Sequence, residues 1–304
     1  MLVIGSTGFI GSHSAEFLTD AGFSVTGTST TGERADLACD ITDQESVDRA
    51  ISRISPDAIL ITAGQASVAL AWDDPAATFA TNISGPFHVL DAVRRLRPSA
   101  HVTFASSAGV YGPPPSADAM PFTEQDPMNP ESPYGASKAA AEMLCRQFVR
   151  QSGLQIAITR IFNQIGPGQS DAQAPAEFSR EIAKAERRGE RVLELPVGNR
   201  LIRRDFTDVR DTARAWAQLI ERRVTGTFNV CTGVETSLEG IIEGLAELSE
   251  ITIEIDEANG PRRPGDILSV YGSHERLTAA TGWRPQITLE SSLADLLADM
   301  RRRV

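Results

Sequence analysis

Tyr134 and Lys138 stand four residues apart in Ser132-Pro133-Tyr134-Gly135-Ala136-Ser137-Lys138. On a helix begun by Pro133, that spacing puts both side chains on one face. An ammonium about 4 Å from a phenolic oxygen favours the phenolate by up to ~4 kcal/mol at an effective dielectric near ~20, or roughly 3 pKa units. A tyrosine so tuned exchanges a proton with a carbonyl or an alcohol near neutral pH. An ordinary Tyr/Lys helix pair is the alternative, and composition argues against it. Lys138 and Lys184 are the only two lysines in the chain, every other cationic side chain apart from histidine being arginine. A lysine at this position therefore points to a compact ammonium, for the phenolate and for a ribose hydroxyl. Ser107, in Ser106-Ser107-Ala108-Gly109, is the third candidate. It is either a hydroxyl at a strand end that can bond a substrate oxygen or a simple turn serine.

A second chemistry sits at the start of the chain. Leu2-Val3-Ile4-Gly5-Ser6-Thr7-Gly8-Phe9-Ile10-Gly11 reads as a strand running into G-x-x-G-x-x-G and then a helix from Ser12 to Leu18. Glycines permit a tight turn and let the backbone approach a pyrophosphate seated on the helix N-terminus. At the first strand-to-helix junction of a βαβ unit, this pattern points to a dinucleotide. About 20 residues on, where NAD sites place an acid against the ribose 2′-hydroxyl, stands Thr26-Gly27-Thr28-Ser29-Thr30-Thr31. With no carboxylate there, hydroxyls such as that of Ser29, and Arg34 nearby, NADP(H) is the preferred coenzyme. NAD(H) stays open, because Glu33 or Asp36 could fold back toward the ribose. Asp40 and Ile41 are placed to hold the adenine amine and ring.

The elements that must position these groups follow from the pattern of the whole chain. Its 304 residues suit one large α/β unit with a smaller lobe. Short β-branched runs alternate with amphipathic helices to about residue 160. The runs Leu2-Gly5, Ser24-Thr28, Ala58-Thr62, His101-Ser106 and Gln155-Arg160 are too apolar for strands solvated on one face, so a buried parallel sheet of the Rossmann, doubly wound type is expected. We assign residues 1–162 to the dinucleotide-binding domain, with 201–231 returning to it, and 163–200 and 232–304 to a substrate-binding lobe over the carboxyl edge of the sheet. Pro113-Pro133 reads as a surface loop over that edge. A net charge of −11 argues against nucleic acid or an anionic membrane as partner. Apolar runs fall short of a membrane span, and the N-terminus passes directly into a strand, which reads as soluble and cytoplasmic. Cys39, Cys145 and Cys231 and the four histidines match no metal-ligand spacing, so no metal is expected and the thiols are assigned to the interior.

Together these motifs resemble the extended short-chain dehydrogenase/reductase family, which comprises nucleotide-sugar epimerases, dehydratases and reductases. The resemblance covers nearly the whole chain. It is carried by TGFIG at Thr7-Gly11, AGQ at Ala63-Gln65, TNISG around Asn82, SSAGVYG at Ser106-Gly112, the Tyr134/Lys138 pair, FNQIGPGQ at Phe162-Gln169, RRDFTDV at Arg203-Val209 and RRPGD at Arg262-Asp266. Carried over residue by residue, it implies that Ser107, Tyr134 and Lys138 do the chemistry. It further implies that Gly5, Thr7, Gly8, Phe9, Ile10, Gly11, Asp40, Ala63, Gly64, Gln65 and Asn82 line the coenzyme, and that Ile161, where the family commonly has proline, lies near the nicotinamide. Asn163, Arg204 and Arg263 would meet the nucleotide sugar, the arginines through its phosphates. A homodimer through helices near Thr78-Arg97 and Tyr134-Gln151 is also implied.

Within that family, 4,6-dehydratases usually carry acids in the two positions after the catalytic Ser or Thr, whereas this chain has Ala108 and Gly109. Dehydration is therefore disfavoured. FNQIGPGQ, the stretch from Val197 to Asp211, FNVCTG and RRPGD look most like the branch that reduces GDP-4-keto-6-deoxy-mannose with NADPH. A 4-epimerase with tightly held NAD is the second reading. A non-catalytic NADP(H) sensor is the third, disfavoured because a sensor has no use for the complete Ser107, Tyr134 and Lys138 set.

Overall fold

The structure, a computed structural model, describes residues 1–261 and 267–304. In chain order the strands and helices are β1 (Leu2–Ile4), α1 (Phe9–Asp20), β2 (Thr26–Ser29), β3 (Leu37–Ala38), α2 (Gln44–Ile54), β4 (Ala58–Ile61), α3 (Val68–Asp73), α4 (Pro75–Phe79), α5 (Gly85–Leu96), β5 (His101–Ser107), α6 (Pro133–Ser152) and β6 (Gln155–Ile161). Then come β7 (Asn163–Ile165), α7 (Ala174–Arg188), β8 (Val192–Pro196), β9 (Arg203–Asp208), α8 (Val209–Glu221), β10 (Gly226–Val230), β11 (Glu235–Ser237), α9 (Leu238–Ala246), β12 (Thr252–Asp256), β13 (Ser269–Val270), α10 (Glu275–Thr281) and α11 (Leu289–Arg303).

Seven strands form one sheet in the order β3-β2-β1-β4-β5-β6-β10, every neighbouring pair parallel. Both faces are covered, and alternation along each strand shows it. Leu2, Ile4, Ile59, Ile61, Val102 and Phe104 pack with α2, α5 and α6. Val3, Leu60, Ala105 and Ala157, between them in sequence, pack with Leu18 of α1 and Trp216 of α8. Continuous burial on two faces is why these strands read as unbroken apolar runs. The strand order reverses on either side of β1, so the crevice at the carboxyl ends of β1 and β4 is where such a sheet takes a ligand.

The second layer is a four-stranded sheet of β7, β9, β11 and β13 with a two-stranded β8/β12 ribbon. Its core is formed by α7, α9 and α11. The expected boundaries shift in two places. The return to the main sheet begins at Val209 rather than at residue 201, because β9 pairs β7 and β11 in the smaller sheet. Residues 232–304 are also not wholly lobe, since Leu277 and Trp283 pack with Trp216 beneath the main sheet. The 113–133 segment is partly a buried strap: Phe122 stacks on Tyr111 with ring centroids 4.5 Å apart, and its N–H donates to the Tyr271 carbonyl at 3.0 Å.

Candidate active site

Helix α1 begins at Phe9, three residues before the expected Ser12, because Gly8 takes the extended N-cap conformation. Its first turn has neither a side-chain cap nor an acid, whereas α2, α6, α8, α9 and α11 all start on a capping side chain. The open donors and the positive helix end suit an anion. The glycines keep the turn tight. Gly5 has φ +92°, and a Cβ there would stand 2.6 Å from the amide nitrogen of Ala63 on the β4 edge. A Cβ at Gly11 would collide with the Gly5 carbonyl. Gly5 and Gly11 thus draw the turn and α1 against the strands, and a pyrophosphate fits where the sequence predicts one. Thr7 is partly exposed on this turn, Ile10 packs into the core below, and Phe9 turns away to meet His13, whose Nε2 donates to the Pro167 carbonyl of the lobe at 2.7 Å.

Across the crevice, Asn82 lies in a single π-helical turn between α4 and α5, a distortion that often marks a functional position. Its side chain accepts from Gln65 N at 2.8 Å and donates to Gln65 O at 2.9 Å and Ser137 Oγ at 3.0 Å. Asn82 therefore ties the β4 edge to α6. A Cβ on Gly64 would sit 3.0 Å from Asn82 Oδ1 and 3.5 Å from Lys138 Nζ, so Gly64 leaves the ammonium uncovered on that side. The Gln65 side chain is committed locally, to Ser67 and Thr78, and only its backbone serves this junction.

Ser107, Tyr134 and Lys138 converge at the carboxyl end of β5. Ser132 caps α6, with Pro133 and Tyr134 in its first turn. The Ser107 hydroxyl accepts from Gly109 N at 3.1 Å, and a Cβ on Gly109 would lie 3.3 Å from that oxygen and 3.8 Å from Tyr134 Cδ1. Serine and tyrosine are thus close neighbours. Lys138 Nζ donates to the Ala105 carbonyl at 2.9 Å and lies 5.3 Å from the Phe104 ring centroid. Burial holds the Tyr134 hydroxyl above its ordinary pKa, with the hydrogen bond to Ser107 pulling the other way. Burial lowers Lys138 to about 8. Tyr134 is therefore held as a neutral phenol, a form able to donate a proton, and Lys138 is close to losing its charge.

At the adenosine end, the Ser29 hydroxyl donates to Glu33 O at 2.9 Å and accepts from Gly32 N at 3.0 Å, so it serves its own loop. Asp36 does fold back: its carboxylate accepts from Gly27 N at 2.7 Å, placing an acid beside β2 that residues 28–30 alone do not reveal. Asp40 accepts from Thr42 N and Oγ1, while the Ile41 side chain is buried against Gly85 in the core, so only the Ile41 backbone can face an adenine. At the substrate end, Ile161 closes β6, Asn163 is exposed at the start of β7, and Arg204 on β9 donates to the Ile267 carbonyl at 2.8 Å. Arg263 and the rest of Arg262-Asp266 lie outside the described residues. Sequence reading missed Ser137 and the Ala105 carbonyl as site groups. Ser137 stands within the Tyr134/Lys138 heptapeptide, but its fully buried hydroxyl and its bonds to Asn82 and Tyr134 O depend on the packing of α6.

The sequence profile of the GDP-mannose 4,6 dehydratase family matches residues 2–296. The chain is 38% identical over 250 residues, 82% of each chain, to the GDP-6-deoxy-D-mannose reductase of Pseudomonas aeruginosa. The structure of RMD from Pseudomonas aeruginosa complexed with NADPH superposes with a TM-score of 0.88 at 33% identity, covering 100% of this chain and 99% of that one. The Thermus thermophilus UDP-glucose 4-epimerase complex with NAD superposes at 0.87 and 31% identity, over 100% and 99% of the two chains.

Proposed function

The chain belongs to the GDP-mannose 4,6-dehydratase family of extended short-chain dehydrogenase/reductases, and on that premise we propose that it is an NADPH-dependent reductase of the C4 keto group of GDP-4-keto-6-deoxy-D-mannose. The observation that carries this reading is local. The Ser107 hydroxyl and the Tyr134 phenol stand together, while the next two residues, Ala108 and Gly109, supply no carboxylate. Elimination of water from an intact hexose needs an acid and a base beside that pair, and a simple carbonyl reduction does not.

A bound NADPH supplies the hydride. Ser107 bonds the substrate carbonyl oxygen and orients it. Tyr134 gives its proton to that oxygen as negative charge develops there, a role suited to a phenol held in its neutral form. Lys138, fixed by the Ala105 carbonyl and open toward Gly64, stabilises the phenolate left behind and bonds the ribose. Asn82 holds the Gln65 backbone to α6 so that both sides of the crevice keep their spacing. Asn163, Arg204 and Arg263 hold the nucleotide sugar, the arginines through its phosphates.

The 4-epimerase reading draws on two observations, the likeness to an epimerase complex with NAD and the Asp36 carboxylate beside β2. A homodimer fits the exposed apolar side chains Phe87 on α5 and Met143 and Val149 on α6. No helix among the described residues is long and apolar enough to cross a membrane, and a cytoplasmic place fits that. The test offers the protein GDP-4-keto-6-deoxy-mannose with NADPH, and intact GDP-mannose and a UDP-hexose each with NAD+ and with NADP+, and identifies products by mass spectrometry. The reading expects a GDP-6-deoxyhexose from the first alone. Dehydration of GDP-mannose, or interconversion of UDP-hexoses, overturns it.

A further inference from the structure

Behind Ser107, Tyr134 and Lys138 lies a set of buried charges that the reaction as described does not use. Glu142, one turn beyond Lys138 on α6, and Arg160, on β6, are 0% and 1% exposed. Arg160 Nε and Nη2 donate to the Glu142 carboxylate at 3.0 and 2.9 Å. Ser106 Oγ donates to the same carboxylate at 2.6 Å, and Arg146 Nη2 reaches it at 3.2 Å. On its other side the Arg160 guanidinium lies 4.7 Å from the Tyr111 ring centroid, and the Tyr111 hydroxyl donates to Asn229 Oδ1 on β10 at 2.6 Å. Arg160 Nη1 is buried with no hydrogen-bond partner among the described residues.

A buried ion pair is a weak source of stability, since apolar residues of similar volume often do as well or better. Its directional bonds do something apolar contacts cannot: they fix a register. Here the register is that of α6 against β5. Lys138 is bonded to the Ala105 carbonyl, and one turn on, Glu142 is bonded to the Ser106 hydroxyl. Two successive turns of the helix are thereby pinned to two successive residues of the strand, immediately before Ser107. A rotation of α6 or a slide along β5 breaks both links and carries Tyr134, one turn earlier on the same helix, away from Ser107.

We propose that Glu142 and Arg160 are positioning residues for carbonyl reduction, fixing the rotation and height of α6 on β5 and so setting the Tyr134 hydroxyl against Ser107. This rests on the assignment of Tyr134 and Ser107 as the proton-donating pair. The charged and titratable groups around the Glu142 carboxylate are Lys138, Cys145 and Arg146 from α6 and Arg160 from β6, with Tyr111 beyond it. Ser106 from β5 is the neutral donor. Glu142 also favours the Lys138 ammonium, against the burial that lowers it.

The test compares wild-type protein with Glu142→Gln and with the double variant Glu142→Leu/Arg160→Met. The double variant removes both charges at similar volume and folds even where the single variant, with Arg160 left unpaired, does not. With GDP-4-keto-6-deoxy-mannose and NADPH, the double variant is expected to lose about 10²-fold in kcat, the scale of a 1 Å misplacement, with the Kd for NADPH unchanged. A readout that needs no substrate is the ultraviolet titration of Tyr134, obtained by subtracting the spectrum of Tyr134→Phe made in each background. In the double variant Tyr134 should ionise at higher pH, because Ser107 no longer bonds the phenolate. Wild-type kcat and an unshifted Tyr134 titration, with only thermal stability changed, overturn the proposal. An equal loss of NADPH affinity also overturns it, since the damage then lies in the coenzyme cradle. If wild-type protein fails to reduce the keto sugar but the titration still shifts, the functional reading falls and the positioning role stands.

Discussion

Tyr134 is kept a phenol and Lys138 is kept near the edge of its charge, and both follow from burial at the end of β5. Tyr134→Phe is expected to lower kcat by roughly 10²- to 10⁴-fold with NADPH affinity nearly unchanged, because only the proton donor is removed. Steady-state kinetics and coenzyme titration check this, and near-normal turnover rules out the assigned donor. The pH dependence has a definite sign. If the ammonium form of Lys138 is the working one, as proposed, its pKa lowered to about 8 means that kcat/KM for reduction is expected to be complete below that pH and to fall as pH rises through it. Tyr134, raised by burial, stays protonated over the same range and does not cause the fall. A profile still flat well above pH 8, or one in which Lys138→Arg keeps the same alkaline limb, contradicts the assignment. That Tyr134 and Lys138 share a face of α6 was legible in the sequence, because a four-residue spacing on a helix fixes which side chains do so. The partner of the ammonium was not. The Ala105 carbonyl is 33 residues away in the chain, and only the packing of α6 on β5 brings it to Lys138.

At the scale of elements, we expect the loop from β2 to β3 to decide the coenzyme. No acid occupies positions 28–30, Arg34 stands in the left-handed region at φ 57°, and Asp36 has one carboxylate oxygen already bonded to Gly27 N. Wild-type protein is expected to prefer NADPH to NADH, and Ser29→Asp to shift the preference toward NADH by repelling the 2′-phosphate. Comparing kcat/KM for the two coenzymes measures this. A wild-type preference for NADH of about tenfold, ~1.4 kcal/mol, refutes it. Five of the seven strands of the main sheet, β1, β2, β4, β5 and β6, could be located within a residue or two because strands buried on both faces read as continuous apolar runs. The lobe could not be read in the same way. Strands β7, β11 and β13 have three, three and two residues, too short for any period, and β8 alternates in burial as a two-stranded ribbon does. The fold-back of Asp36 stayed one of two alternatives, beside Glu33, for a related reason: it depends on a turn between β2 and β3, and β3 is itself only two residues long.

At the scale of the whole molecule, α5 and α6 leave an apolar face in an otherwise acidic protein, with Phe87 42%, Met143 63% and Val149 41% exposed. We expect a homodimer in solution that Met143→Glu converts to monomer by burying a charge at that face. Sedimentation equilibrium at several concentrations checks this, and a wild-type monomer at all of them contradicts it. The same fold carries reductases and epimerases at nearly equal structural likeness, with TM-scores of 0.88 and 0.87, so shape cannot choose between the reactions. Electron balance can. A reductase leaves its hydride in the product, whereas an epimerase takes it back, so their net demand for coenzyme differs by one per turnover. The decisive measurement is the ratio of NADPH absorbance lost to GDP-6-deoxyhexose formed from GDP-4-keto-6-deoxy-mannose. We predict one NADPH consumed per GDP-6-deoxyhexose formed, and an unchanged NADPH absorbance with this sugar, while GDP- or UDP-hexoses interconvert with no net change in coenzyme, would contradict the account.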